Sequence, residues 1–347
     1  MIIKLSVGII YLSAIANVIS RNKIFLFYSY SLSILIFSLN YFFFHLNRPE
    51  LLKIVIPFFL GCLPSLIYSF SIEDKKVFEN ITFIGSSIIY VVGIFMGILL
   101  FSGTITMGGY SMPYSYYMLL PTLVFLKYLL DSFSVKYCIL TLVSLIMIVA
   151  FGSRGPILSI AVFVILYQII NLKVISLKHI FRIILIIIFL SVLLIYLKEI
   201  LLILNSIVKT FGIRSRTIIL LLQEETTLSG RDNIAIMTMR EIAKSPLLGI
   251  GIAGDRSILG TYPHNIALEI IADFGIIAGF LIISFILFIS FNVLFRINQK
   301  DSNFLLVWFC VGFVPFFLSH SYLTHIQFWI YMGLSSKYYL IYRKKKV

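Results

Sequence analysis

Four polar residues stand close together at the head of a long apolar run: His264, Asn265, Glu269 and Asp273. Histidine is the side chain whose ordinary pKa lets it take and return a proton near neutrality, so it can act as a general base toward a hydroxyl. His264 falls between Pro263 and Asn265, at the start of a helix, where the positive helix end disfavours imidazolium and would keep the ring neutral. Glu269 and Asp273 follow at a spacing of four, on one helix face. Carboxylates in such a run either line a polar cavity or pair with an arginine. His320 and His325 flank another turn and reach either the same vestibule or the headgroup level.

Cations precede the histidine. Arg214, Arg216, Arg231, Arg240, Lys244 and Arg256 all lie between residues 198 and 264. A guanidinium grips phosphate through two parallel hydrogen bonds, which makes arginine a residue suited to a phosphate group. Arg214 and Arg216 point about 200° apart on a helix, so they share a ligand only if the segment bends. Arg231 and Arg240 lie near opposite faces, whereas Arg240 and Lys244 share one. One or two of these cations are expected ligands and the rest solvated. Arg154, in Gly152-Ser153-Arg154-Gly155-Pro156, sits in a tight turn and either snorkels to lipid headgroups or binds phosphate. Gly249-Ile250-Gly251-Ile252-Ala253-Gly254 spells a dinucleotide fingerprint without the strand and βαβ unit that such a site needs. It reads as a turn in which backbone closely approaches something else. Glu224-Glu225 is the one acidic pair of the loop, and neither a metal nor a cofactor is expected.

The elements that position these residues are membrane helices. The chain is 60% hydrophobic and 12% charged, with mean hydropathy +1.05, far from soluble composition. Apolar runs of about 18 or more residues recur, each enough to cross a hydrocarbon core. Spans are expected near 5–20, 24–45, 51–71, 82–101, 113–130, 137–151, 155–171, 180–197, 266–295, 304–319 and 322–341. This is an all-α polytopic membrane protein with about eleven transmembrane helices and one large loop. Its parts are an N-terminal helical region over 1–197, the loop over 198–264 and a C-terminal helical region over 265–347.

Charge placement orients it. The chain has 28 Lys and Arg, and the run Arg343-Lys344-Lys345-Lys346 marks a cytoplasmic C-terminus. Alternating back from there puts 16 basic residues on cytoplasmic connections and 4 (Lys4, Arg48, Lys53, Arg154) on short outer ones. The other 8 all fall in the loop 198–264, which is therefore extracytoplasmic. The formal charge of +14 thus reports topology and no nucleic-acid partner. Ala14-Ile15-Ala16 resembles a signal-peptidase site, though a retained first helix suits a polytopic chain better. Cys62, Cys138 and Cys310 lie singly in apolar runs and read as packing residues. Within the loop, 199–222 suits a helix lying in the interface. Ser229-Gly230-Arg231-Asp232 has capping-box spacing for a helix over 231–244 that ends at Pro246.

Ser153-Arg154-Gly155-Pro156, Ser229-Gly230-Arg231, Pro246-Leu247-Leu248-Gly249-Ile250-Gly251 and His264-Asn265-x3-Leu268-Glu269-x5-Gly275 together resemble the O-antigen polymerase and ligase superfamily. The resemblance covers about 150–280. It implies a metal-independent glycosyltransferase similar to the membrane-embedded C class, located in the bacterial cytoplasmic membrane. Its substrate would be an undecaprenyl-diphosphate-linked oligosaccharide, used at the outer face to extend O-antigen or capsule-type polysaccharide. Carried onto this chain, the resemblance makes His264 the base and Arg216 and Arg240 diphosphate contacts. Arg154 and Arg231 join them as further candidates, with Asn265 and Glu269 as substrate-site residues. Arg216-x3-Leu220 resembles an arginine motif of the ligases, and Arg240-x10-Gly251 a spacing seen in polymerases. Ligases favour Gly, Thr or Tyr where this chain has Ala278, after Gly275-Ile276-Ile277.

The leading reading is a repeat-unit polymerase that inverts the anomeric centre. The alternatives are a ligase transferring glycan to lipid A core and, in another class, a flippase or transporter of the lipid-linked oligosaccharide. Membrane lipids are expected partners, with a chain-length regulator and a flippase as candidate protein partners. A transporter would more often show paired broken helices in two halves, and the sequence shows one asymmetric loop.

Overall fold

The computed structural model describes residues 2–101, 112–151, 153–172 and 231–344, with isolated positions between 196 and 209. All regular structure among these residues is helical. Helices satisfy their own backbone hydrogen bonds, which a hydrocarbon environment demands. Among the described residues, Ser13–Phe43, His45–Ser71, Lys75–Leu99, Ile266–Phe295 and Gln299–Phe317 are long and apolar enough to cross a membrane. Val135–Val149 and Gly155–Ile170 are shorter apolar helices. The chain is an all-α, multi-pass membrane-embedded protein. The span expected at 180–197, the interfacial helix expected at 199–222, Arg214, Arg216, Glu224-Glu225 and the cap Ser229-Gly230 fall outside the described residues, apart from isolated helical positions.

Contacts group the chain into two units, each assembled from separate stretches. The first holds Met1–Asp74, Leu228–Ile297 and Phe316–Val347. In it, α1 (Ile2–Phe43) is one helical stretch broken at Asn22, with φ −138° and ψ 38°. The break falls between the spans expected at 5–20 and 24–45. Chain direction then reverses through a short 3-10 turn at His45–Asn47. The return runs through α2 (Arg48–Pro57), a π-turn at Phe58–Cys62 and α3 (Leu63–Ser71). Asn22 donates to Ser71 Oγ at 3.0 Å, and Arg21 lies 3.4 Å from Glu73, which closes one end of this hairpin. The other end, at Asn40 and Asn47, holds the polar loop described below.

The rest of this unit is α8 (Arg231–Lys244), α9 (Gly254–Leu259), α10 (Ile266–Phe295) and α12 (Ile326–Lys344). α12 lies against α3 where Gly333 permits it: a Cβ there would stand 2.0 Å from Ser69 Oγ and 2.3 Å from Leu66 O. Small residues bring membrane helices together this way because lipid offers no hydrophobic drive for packing. Tyr331, fully buried, donates to Ser290 Oγ at 2.7 Å and ties α12 to the later part of α10.

The second unit holds Lys75–Thr227 and Asn298–Pro315. Its described helices are α4 (Lys75–Phe101), α5 (Met112–Asp131), α6 (Val135–Phe151), α7 (Arg154–Ile170) and α11 (Gln299–Gly312). Phe83 meets Phe125, Tyr128 and Tyr137 edge-on, with centroids 5.3–6.4 Å apart. Such pairs add about 0.5–1.5 kcal/mol each beyond the area they bury. Polar groups gather where α4, α5, α7 and α11 end. Lys75 pairs with Asp301, Lys127 with Asp131 at 2.8 Å, and Tyr167 donates to Asp131 at 2.6 Å. Asn171 and Asn303 exchange amide hydrogen bonds of 3.0 and 3.2 Å. Lys75, Lys127, Asp131, Tyr167, Asn171 and Asn303 line a polar cavity of about 590 Å³.

Candidate active site

The candidate site lies in the first unit, and its geometry begins with a broken helix. α10 is interrupted at Gly275, with φ 79° and ψ 172°. The residues after the break, 276–295, span about 30 Å as a helix and alone suffice to cross a hydrocarbon core. The large apolar side chains that α10 exposes, from Ile276 to Phe295, all lie in that part. The half before the break carries Glu269 and Asp273 and keeps its side chains against protein.

A break frees backbone groups, and irregular backbone at membrane depth survives only when protein satisfies it. Here the segment after α8 does so. Ile276 N donates to Pro246 O at 2.8 Å, and Ile250 N donates to Ala272 O at 2.7 Å. This is the close approach that the glycines of 249–254 foreshadow. Gly249 has φ +71°, and a Cβ on it would lie 2.4 Å from Ala272 O and 2.6 Å from Gly275 N. A Cβ on Gly275 would lie 2.1 Å from Leu247 O. The far side of the loop is held by two buried asparagines that sequence reasoning did not single out. Asn47 donates to Ile250 O at 2.8 Å and Ile252 O at 3.3 Å, and Asn40 accepts from Ile252 N at 2.7 Å.

Beneath this loop is a buried ion-pair core. Asp255, Glu269 and Asp273 are 0%, 0% and 2% exposed. Arg256 Nη1 donates to Asp255 at 2.8 and 3.0 Å. Its Nη2 donates to Glu269 Oε1 at 3.0 Å and to Ser321 Oγ at 2.6 Å. Ser321 donates to Glu269 at 2.5 Å, and Tyr322 to Asp273 at 2.5 Å. One arginine therefore joins α9, the first half of α10 and the turn before α12. Burial pushes the Asp255 carboxyl up even though Arg256 lies beside it. Burial by itself would lower the Arg256 guanidinium, but Asp255 and Glu269 outweigh that and hold it above its usual range. Removing one partner of such a buried group costs about 3–5 kcal/mol, because the survivor is left charged in a dry place.

On this core stands His264. Asn265 caps the half-helix, its side chain accepting from Ala267 N at 2.9 Å and Leu268 N at 3.2 Å. The histidine just before the cap takes φ +56°, a left-handed conformation uncommon outside glycine, in which asparagine, aspartate and histidine are the residues most often found. Its ring packs on Tyr262, with centroids 4.2 Å apart and planes at 49°. On Tyr262 lies the Arg256 guanidinium, 5.4 Å from the ring centroid. His264 Nδ1 is enclosed and has no hydrogen-bond partner among the described residues. Burial lowers the pKa of His264, and the positive charge of Arg231 lowers it further. The ring is thus kept neutral at neutral pH, chiefly by burial and by Arg231. His320, at φ +68°, is also close: burial and then His264 push it down to about 4. His320 stacks on His325 at 4.2 Å, with Phe316 edge-on to His325 at 5.2 Å.

A family model described as O-antigen ligase matches residues 139–283. The match supports the resemblance of this stretch to the O-antigen polymerase and ligase superfamily. No curated protein and no solved structure matches the chain. That similarity is in keeping with a glycosyltransferase-type enzyme that acts on a lipid-linked glycan at the membrane. The matched stretch runs from α6 into α10 past its break at Gly275 and includes the loop, His264 and the core residues Asp255, Arg256, Glu269 and Asp273.

The structure brings some of the sequence candidates together. His264, Asn265, Glu269 and Arg231 belong to one unit, and Arg231 is close enough to act on the His264 charge. Glu269 takes the ion-pair fate weighed for it, with Arg256 as its partner. Arg240 is exposed on α8 and makes no ion pair among the described residues. Arg154 begins α7 of the other unit, where a Cβ on Gly155 would meet Tyr116 Oη at 1.9 Å. Arg216 lies outside the described residues. Among the described residues no group of three or more His, Cys, Asp or Glu is arranged to hold a metal ion. Arg256, read from sequence as one cation among six, is the one bound into the core. Its adjacency to Asp255, with an acid thirteen residues on, was the available signal.

Proposed function

We propose that the protein joins lipid-linked oligosaccharide repeat units into a long surface polysaccharide, with His264 as general base. One observation carries the reading. A histidine held neutral by burial and by Arg231 stands beside a cation, on a rigid buried frame, inside the family-matched stretch. Glycosyl transfer from a polyprenyl diphosphate asks for those two groups together. The acceptor hydroxyl gives its proton to the neutral imidazole as its oxygen attacks the anomeric carbon. The bond from that carbon to the diphosphate oxygen breaks, and fixed guanidinium groups take up the charge that leaves. Attack from the side opposite the departing group inverts the centre.

Arg231 suits the anion-binding role because it is the first residue of α8. A cation at a positive helix end is unfavourable until an anion joins it. Arg240 and Arg216 are proposed as further diphosphate contacts, and Arg154 as a contact of the lipid-linked substrate at its own turn. Asn265 is proposed to fix the approach of the chain to the base. Glu269 is proposed to act on the substrate site through Arg256. The outer membrane face is the proposed location of the chemistry, as the distribution of basic residues supports. In the first unit, Lys337 interacts with Arg21 and Glu73, at the hairpin end opposite the loop.

A second reading, ligation of finished glycan to lipid A core, is favoured by the description of the matching family model. Ala278 at the position where ligases carry Gly, Thr or Tyr weighs toward polymerase. The glycan profile of a deletion strain separates the two. Single repeat units on the carrier mean polymerase, long glycan stranded on the lipid carrier means ligase, and no repeat unit at the outer face means flippase.

A further inference from the structure

We infer that Tyr262 is the positioning residue of the site: its ring, fixed by the anchored Arg256 guanidinium, holds the His264 imidazole and stabilises it when it gains a proton. The inference rests on the reading of His264 as base and adds how that base is kept in place.

A catalytic histidine is ordinarily oriented by a carboxylate or carbonyl that accepts from its second nitrogen. His264 has no such partner, since its enclosed Nδ1 makes no hydrogen bond among the described residues. Three acids lie nearby in the fold, and the groups they bond are others: Asp255 and Glu269 bind Arg256, and Asp273 binds Tyr322. What touches the imidazole is the Tyr262 ring at 4.2 Å. That ring rests on Arg256 at 5.4 Å, and Arg256 is fixed through both terminal nitrogens to Asp255, Glu269 and Ser321. The order of contacts is therefore buried core, guanidinium, phenol ring, imidazole. Orientation passes from a part of the fold that cannot move cheaply to a ring that must be aimed.

The ring also supplies charge stabilisation. An aromatic face attracts a cation, and a desolvated contact is stronger than an exposed one. After proton transfer His264 is such a cation. The positive charge that already acts on it is that of Arg231 on α8. Asp255 and Glu269 offset the charge of Arg256, and the neighbouring His320 is held neutral. The π face is thus the attractive surface in direct contact with the imidazolium. Its φ of +56° gives His264 a strained backbone that the packing must maintain.

The test reads His264 itself in the purified full-length protein. Diethyl pyrocarbonate modifies neutral imidazole, so its rate at His264 across a pH series, followed by mass spectrometry, gives the protonation midpoint without substrate. Tyr262→Leu is expected to move that midpoint down by about half a pH unit to one and a half, the equivalent of one cation–π contact. Polymer formation should fall about 2- to 30-fold at matched protein level. Tyr262→Phe, which keeps the π face, should hold the midpoint in place. Should Tyr262→Leu fail to accumulate, Tyr262→Met keeps comparable bulk without the face and takes its place. A midpoint that stays put without the ring overturns the inference, as does a Phe variant shifted as far as the Leu variant. A purely structural Tyr262 would lower yield and leave the midpoint alone. If His264→Ala makes normal polymer, the base reading falls, and the inference with it. If His264→Ala is inactive while Tyr262→Leu keeps the wild-type midpoint, this inference alone falls.

Discussion

Gly249→Ala should cripple the protein, and Gly260→Ala should not. Both glycines have positive φ, +71° and +73°, so alanine at either pays the same left-handed penalty of about 1–2 kcal/mol. They differ in what a Cβ would meet. At Gly260 nothing lies within 4 Å, whereas at Gly249 the atom would sit 2.4 Å from Ala272 O and 2.6 Å from Gly275 N. Both obstacles are backbone, so no side chain can swing aside. The loop must back away from the helix break, which forfeits the bonds Ile250 N→Ala272 O and Ile276 N→Pro246 O. At about 1 kcal/mol apiece, with orphaned groups left at membrane depth, the added cost is at least about 2 kcal/mol. Thermal unfolding in detergent should show Gly249→Ala about 3 °C or more below Gly260→Ala. Coincident midpoints for the two variants would refute the claim that this loop satisfies the broken helix.

Two further outcomes follow from the buried core. Arg256→Met strands Asp255 and Glu269 and should cost about 3–5 kcal/mol, seen as loss of folded protein by fluorescence size-exclusion. Arg256→Lys should rescue poorly, because one ammonium cannot reproduce a fork that reaches two carboxylates and Ser321 at once. His320 gives a pH signature. With its pKa pushed from 6.5 to about 4 in the folded protein, the unfolded chain binds a proton first as pH falls. Stability should therefore decline from about pH 6.5 toward 4, by at most about 3 kcal/mol from this residue. His320→Asn, which tolerates the left-handed backbone, should flatten that decline in a thermal-shift series.

Much of this was legible in the sequence, because membrane helices announce themselves by length and greasiness. The helix over 231–244 and its stop before Pro246 were readable from caps and breakers, and α8 has those bounds. The next helix begins at Ile266, where the span was expected to start, with Asn265 supplying the cap. The neutrality of His264 was also readable, but its cause was not. The helix terminus offered a local reason, whereas burial and Arg231 dominate, and both depend on tertiary packing. The break at Gly275 and its match to Gly249 are 26 residues apart and could be read only as two separate glycines. Asn40 and Asn47 were illegible for a similar reason. An asparagine near a helix end has many local uses, and here its partner lies more than 200 residues along the chain. Arg256 was hidden among its neighbours, since cations in a loop look alike until one is seen buried.

The most direct measurement is the electrophoretic glycan profile of a deletion strain carrying either the wild-type protein or His264→Ala at equal membrane abundance. The account predicts a full ladder of polymer with the wild type. With His264→Ala it predicts single repeat units only, since removing a general base costs about a hundredfold or more. A normal ladder from His264→Ala would contradict the account at its centre.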